Sequence, residues 1–236
     1  MKAAILTVTS FQQNCSLIWC EKTMKGALLD PGGDLDLLLL EVKNQGVKLE
    51  KILITHAHVD HAAGTAELQS RLNIPIEGPH KDDQFLIRQL PEDSIAWGFP
   101  EADSFVPDRW LEDNDTVELG NMVFNVYHCP GHTPGHIIFF EPQSKVAFVG
   151  DVLFSGSIGR TDFPMSDPQL MADSLRRLTL LPGHMRVHSG HGPMTTLGEE
   201  LKNNPFLGYI RDERGIAGAP GFPWMPGLGL QKYEEE

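Results

Sequence analysis

Lys51-Ile52-Leu53-Ile54 runs directly into Thr55-His56-Ala57-His58-Val59-Asp60-His61, and this stretch decides how the chain is read. Three histidines and a carboxylate occupy six positions immediately after an apolar, strand-like run. In an extended segment alternate side chains share a face, so His56 and His58 converge on one spot. A helical pattern over residues 60–72 begins at once and turns Asp60 and His61 toward a neighbouring spot. Asp60 suits the N-cap of that helix, and Gly64 lets its start approach the sheet closely. A polar loop whose histidines only bond their own backbone does not need this density. Neutral imidazoles beside a carboxylate are ligands for zinc, iron or manganese.

Further candidates stand at the ends of later strand-like runs. His132 lies in Cys129-Pro130-Gly131-His132-Thr133-Pro134-Gly135-His136, after the run 123–128. Asp151 follows Gly150 at the end of the run 146–149, and His191 sits in Ser189-Gly190-His191-Gly192-Pro193. A glycine adjoins each one, which permits the close turns that aim a side chain into a shared cleft. Gly150-Asp151 alone is a weak signal. The ordered set behind His-x-His-x-Asp-His is a specific one.

In that order and with those motifs, roughly residues 1–200 resemble the metallo-β-lactamase-fold hydrolases, and among them the compact, single-domain type II glyoxalases (hydroxyacylglutathione hydrolases). Phe11-Gln12-Gln13-Asn14-Cys15 and Asp30-Pro31-Gly32-Gly33-Asp34 are similar to that branch. The resemblance implies an α+β fold: an αββα sandwich of two mixed sheets flanked by helices, with a two-metal site at the sheet edge. It places His56, His58 and His132 on one divalent ion and Asp60, His61 and His191 on a second, with Asp151 bridging. The ions are expected to be zinc, with iron or manganese as alternatives. Asp60 is the expected catalytic residue, Asp30 the carboxylate that sets a ligand histidine's tautomer, and His136 a second supporting residue. The implied reaction is hydrolysis of a thioester of the S-lactoylglutathione type, with no protein nucleophile. No Gly-x-Ser-x-Gly motif is present to supply one.

Arg160, in Gly159-Arg160-Thr161-Asp162-Phe163, matches the basic residue such enzymes turn toward glutathione, while Asp162 stands where they carry a tyrosine. Arg160 is therefore expected either to bind a substrate carboxylate or to brace its loop by pairing with Asp162. The same loop resembles that of the persulfide dioxygenases, which share the fold and use a single iron, so that activity is the alternative. A metal-dependent nuclease ranks below both. A purely structural metal protein ranks last, since a structural site does not need two adjacent open centres.

The rest of the chain agrees with one catalytic domain over residues 1–204. At 236 residues, 41% hydrophobic and 22% charged, it can bury a sizeable core. Its net charge of −13 disfavours nucleic acid as a partner, and no apolar run reaches the ~18 residues of a membrane span. Strands are expected at 4–9, 15–19, 26–29, 51–55, 123–128, 137–140 and 146–149, and helices at 35–44, 60–72, 80–90 and 169–180. Residues 80–118 hold eleven acidic against three basic residues and read as a surface insertion with a solvated acidic face. Trp97, Trp110 and Trp224 read as core packing. Cys15, Cys20 and Cys129 show no metal or redox spacing and read as buried thiols of a reducing, cytoplasmic compartment. Residues 205–236 include eight Gly or Pro in the fifteen positions 215–229. They read as a tail packed on the body or on a second subunit, leaving a homo-oligomer open.

Overall fold

The computed structural model describes residues 1–211. Strands β1 (Lys2–Val8), β2 (Gln13–Trp19), β3 (Lys25–Leu29), β4 (Lys48–Leu53) and β5 (Ile76–Glu77) form the first sheet in chain order, antiparallel up to β3 and parallel beyond it. The second sheet takes β6 (Thr116–Leu119), β7 (Met122–His128), β8 (Ile137–Glu141) and β9 (Val146–Gly150) as an antiparallel meander. A short ribbon of β10 (Leu153–Phe154) and β11 (Ser157–Ile158) follows. The second sheet is completed by β12 (Arg186–Ser189), parallel to β9, and β13 (Thr195–Thr196). Both sheets are therefore mixed.

Alternation along the strands explains the layering. Ile18, Ala27, Leu29 and Leu53 of the first sheet meet Phe124, Val126, Phe139 and Phe148 of the second in one buried cluster between the sheets. Their neighbours Leu17, Trp19, Leu28 and Ile52 point the other way, against α1 (Leu35–Gln45) and α3 (Thr65–Leu72). On the far side Ile138, Phe140, Ala147 and Val149 pack on Met171 and Leu175 of α5 (Pro168–Leu178). Because both faces of each sheet are covered, the strands read as nearly unbroken apolar runs. The αββα arrangement follows.

Several elements depart from the sequence reading. The helix expected over 60–72 is two helices, α2 (Val59–Ala62) and α3, and His58 rather than Asp60 holds the N-cap position of α2. The break falls at Ala63-Gly64, where a Cβ on Gly64 would stand 2.4 Å from the Pro31 carbonyl oxygen. The segment expected as a helix over 80–90 is a 3-10 turn, Lys81–Asp83, followed by α4 (Gln84–Ala96), which runs through Pro91. That region is no mere surface insertion. Leu86, Ile87 and Leu90 are buried against Ala57, Val59 and Ala62, so the helix roofs the histidine-rich loop. The sequence reading omitted the short strands β5, β6 and β10–β13. It also omitted α6 (Leu197–Asn203) and α7 (Pro205–Arg211), whose Phe206 and Leu207 join the outer core cluster. The Gly/Pro-rich stretch 215–229 lies outside the described residues. All three cysteines are free and buried. Among the described residues no helix is long and apolar enough to cross a membrane.

Candidate metal centre

Each candidate ligand follows the C-terminal end of a strand: the 56–61 segment after β4, His132 after β7, Asp151 after β9 and His191 after β12. The structure brings them together. One nitrogen from each of His56, His58 and His132 lies within 4.8 Å of the others, and the same holds for one atom each of Asp60, His61 and His191. Asp151 stands between the two groups, its Oδ2 3.5 Å from His132 Nε2 and 3.6 Å from His191 Nε2, its Oδ1 3.3 Å from His61 Nε2. The parallel pairing of β12 with β9 sets Asp151 and His191 side by side. A Cβ on Gly190 would meet Asp151 Oδ1 at 2.2 Å, so only glycine permits that approach.

The loops are held from behind. Asp30 accepts from the Thr55 amide at 2.7 Å and the Thr55 hydroxyl at 2.6 Å, and its Oδ2 is 3.0 Å from His61 Nδ1. That contact favours the proton on Nδ1 of His61 and turns Nε2 toward the cluster. Thr55 Oγ1 lies 3.0 Å from His56 Nδ1, and His132 Nδ1 donates to the Arg160 carbonyl at 2.8 Å. His136 does not join the cluster. Its Nε2 accepts from the Asp151 amide at 3.0 Å, and its ring stacks on His56 at 4.6 Å.

Asp83 is a site residue that the sequence reading passed over. Fully buried, it accepts from the Ala57 amide at 3.0 Å, the Thr133 hydroxyl at 2.9 Å and the Gly135 amide at 2.6 Å. It thus ties the His56–His58 loop to the His132 loop. No local signal separates it from its neighbour Asp82. Burial raises its pKa to about 6, against the pull of these hydrogen bonds.

Charge divides the centre. Burial, reinforced by neighbouring imidazoles, holds His56, His58 and His136 neutral, with His58 lowered to about 3. Burial likewise lowers His132, although Asp151 pulls the other way. For His61 and His191 burial is outweighed by the carboxylates, Asp151 and Asp60 for the first and the Asp60 hydrogen bond and Asp151 for the second, so both are raised. Burial pushes Asp60 and Asp151 up, but His61 and its partners override it and keep both ionised.

The donor set fits a divalent ion. His56 Nε2, His61 Nε2 and Asp151 Oδ1 are buried without a hydrogen-bond partner, and His58 Nδ1 faces His132 Nε2 at 2.9 Å. Each buried polar atom left unpaired costs about 1–3 kcal/mol, a penalty a shared cation removes. A separate group, His80, Asp82 and His128, is internally satisfied. His80 Nε2 meets Glu112 at 2.9 Å, His128 Nε2 donates to the Pro134 carbonyl at 2.8 Å, and the two rings stack.

Above the centre opens a cavity of about 610 Å³. Trp97, expected in the core, is 53% exposed and lines this cavity with Phe11. Arg160 also lines it, yet its guanidinium is paired in bidentate fashion with Asp162 at 2.6 and 2.7 Å and lies over the Phe163 ring.

Two mixed sheets flanked by helices, with paired His/Asp groups at the strand ends, define a metallo-hydrolase. Residues 8–191 match the Metallo-beta-lactamase superfamily model, and the chain belongs to that superfamily. It is 43% identical over 209 residues to "Hydroxyacylglutathione hydrolase GloC" of Haemophilus influenzae, covering 88% of this chain and 98% of that protein. Among solved structures, the BLEG-1 B3 metallo-beta-lactamase superposes with a TM-score of 0.81 at 32% identity, over 87% of this chain and 99% of that one. TTHA1623 in a di-iron-bound form gives 0.79 at 39% identity, over 86% and 100%.

Proposed function

We propose that this metallo-hydrolase is a dinuclear thioester hydrolase, with S-lactoylglutathione as the reference substrate, working in the cytoplasm. The observation that carries the reading is Asp151 standing between the three-histidine group and the Asp60–His61–His191 group. In this reading His56, His58 and His132 would hold one ion and Asp60, His61 and His191 the other, with Asp151 within reach of each group. Zinc suits the donor set, as do iron and manganese. Such a pair polarises a thioester carbonyl and lowers the pKa of water from ~15.7 to about 7.

The chain's own groups do the rest. Asp60, ionised and facing the cavity, accepts a hydrogen bond from the attacking water at a carboxylate oxygen and fixes its direction. Asp30 keeps the Nδ1 proton on His61, and the Arg160 carbonyl does the same for His132, so both rings present Nε2. The departing thiol group lies in the cavity.

Metal analysis of the purified chain, beside thioester-hydrolysis and oxygen-uptake assays, tests the proposal. Close to two ions per chain and thioester turnover are expected. Saturation at one ion with full activity would sink the dinuclear reading. Oxygen uptake with a persulfide and no thioester turnover would assign the persulfide dioxygenase activity instead.

A further inference from the structure

Helix α4 does more at the cavity than roof the histidine-rich loop. Phe85, Gln89, Asp93 and Trp97 recur every four residues along it, the last at its C-cap, and all four line the cavity. That spacing keeps side chains on one helical face, with successive Cβ atoms ~5–6 Å apart. The face therefore presents a ring, an amide, a carboxylate and an indole in order. Leu86, Ile87 and Leu90 bind the helix to the core, and that packing does not call for the two polar side chains.

Among the described residues, the side chains of Gln89 and Asp93 make no hydrogen bond or ion pair. Asp93 is half-buried, and burial together with the neighbouring Glu92 pushes its pKa up. A cation set against it would offset both effects. The indole of Trp97, next on the same face, gives that cation a ring to lie against. The reach from the ligand cluster also fits. Leu86 packs with Val59, which stands between His58 and Asp60, and Asp93 follows two turns later, roughly 10 Å along the helix axis. An extended γ-glutamylcysteine arm carries its ammonium a similar distance, roughly 10 Å, from the thioester carbon.

Resting on the thioesterase reading above, we infer that Gln89 and Asp93 form a subsite for the α-amino-acid head of the thiol carrier. The Asp93 carboxylate accepts from the ammonium of that head, and the Gln89 amide donates to its carboxylate. In the reference substrate the head is the γ-glutamyl end of glutathione. Choice of thiol is thereby placed on α4, apart from the residues that act on the thioester bond.

The test uses the full metal-loaded chain and the lactoyl thioesters of glutathione, N-acetylglutathione and N-acetylcysteamine. Acetylation turns the ammonium into a neutral amide and should raise KM ~5–10-fold at unchanged kcat. Asp93→Asn should raise KM for the glutathione thioester by the same factor and abolish its advantage over the N-acetylated one. Gln89→Ala should raise KM for both glutathione carriers, which keep the carboxylate, relative to N-acetylcysteamine. Calorimetry supplies a readout independent of turnover: S-methylglutathione should bind the parent ~5–10-fold more tightly than its N-acetyl derivative, and Asp93→Asn should bind the two alike. Equal KM for the free and acetylated carriers overturns the inference, as does Asp93→Asn or Gln89→Ala acting alike on all three thioesters. Turnover of the thioesters with no calorimetric preference sinks the subsite and leaves the thioesterase reading standing. If no thioester is turned over yet the Asp93-dependent preference is measured, the thioesterase reading falls and the subsite stands.

Discussion

The two sheets contribute to the centre in opposite ways. From the end of β4 the first sheet delivers His56, His58, Asp60 and His61 in one short loop. The second delivers His132, Asp151 and His191 singly, from β7, β9 and β12. The dense loop cannot satisfy its own backbone, so it borrows two carboxylates from elsewhere: Asp30 for Thr55 and His61, Asp83 for Ala57. The dispersed ligands are each held by a separate group, the Arg160 carbonyl for His132 and His136 for the Asp151 amide. Concentrating ligands in one loop makes several of them depend on the same few acceptors. Damage to those acceptors spreads to several ligands at once.

The largest effect expected is at Asp60, in the dense loop. Asp60→Asn keeps the shape but loses the charge facing the cavity, and steady-state kinetics should show kcat reduced ~10²–10⁴-fold with KM little changed. A fall within about threefold would remove Asp60 from the reacting centre and weaken the case for the loop's primacy. Next is Asp30→Asn, whose amide offers one acceptor oxygen where Thr55 and His61 need two. Because Asp30 supports both His56, through Thr55, and His61, chelator competition should find both ions held ~10–100-fold more weakly. Loss of one ion alone would contradict the shared-support argument.

His188 provides a contrast in the second sheet. It lies on β12 beside Phe148 at 4.9 Å, where burial, helped by Arg186, pulls its pKa down to about 4. An unfolded histidine titrates near ~6.5, so as pH falls the unfolded chain takes up its proton first. The stability present above that value is lost between about 6.5 and 4, roughly 2 kcal/mol of it by about pH 5. In urea unfolding of the metal-free protein, His188→Leu should lose less stability than the parent between pH 7 and pH 5, by about that amount. Equal losses would mean that the ring is not held neutral. The smallest effect is assigned to Asp83→Asn: about tenfold weaker binding at the His56/His58/His132 position, with the other ion unmoved. Two-step metal titration separates this from Asp30→Asn. Equal weakening of both positions would erase the distinction between the two carboxylates.

The same contrast explains what could be read without coordinates. The loop at 56–61 announces itself because its ligands are adjacent in sequence. His132, Asp151 and His191 gain meaning only as an ordered series, each beside a glycine. Long apolar runs gave the main strands, since both faces of each sheet are covered. Two-residue strands such as β5 and β10 carry no period to detect. Asp83 was illegible because its partners lie 26 to 52 residues away, and an aspartate in an acidic stretch looks solvated. Trp97 was misplaced for a related reason: a tryptophan usually marks a core, but here it borders a cavity.

Near the beginning of the chain, Gln13 bridges to His191, and Asn14 fastens the same loop. Its amide donates to the Gly190 carbonyl at 2.7 Å, and its side chain to the carbonyls of Ser189 at 3.1 Å and Gly192 at 2.8 Å. During synthesis residues 13 and 14 leave the ribosome some 175 positions ahead of their partners and wait for them. The histidine-rich loop also emerges long before it can be completed, so a nascent chain exposes several potential ligands with no closed centre around them. Closure comes only once residue 191 has cleared the exit tunnel, so the seam at Asn14 ties the completion of the centre to a long-range contact formed well after the histidine-rich loop emerges.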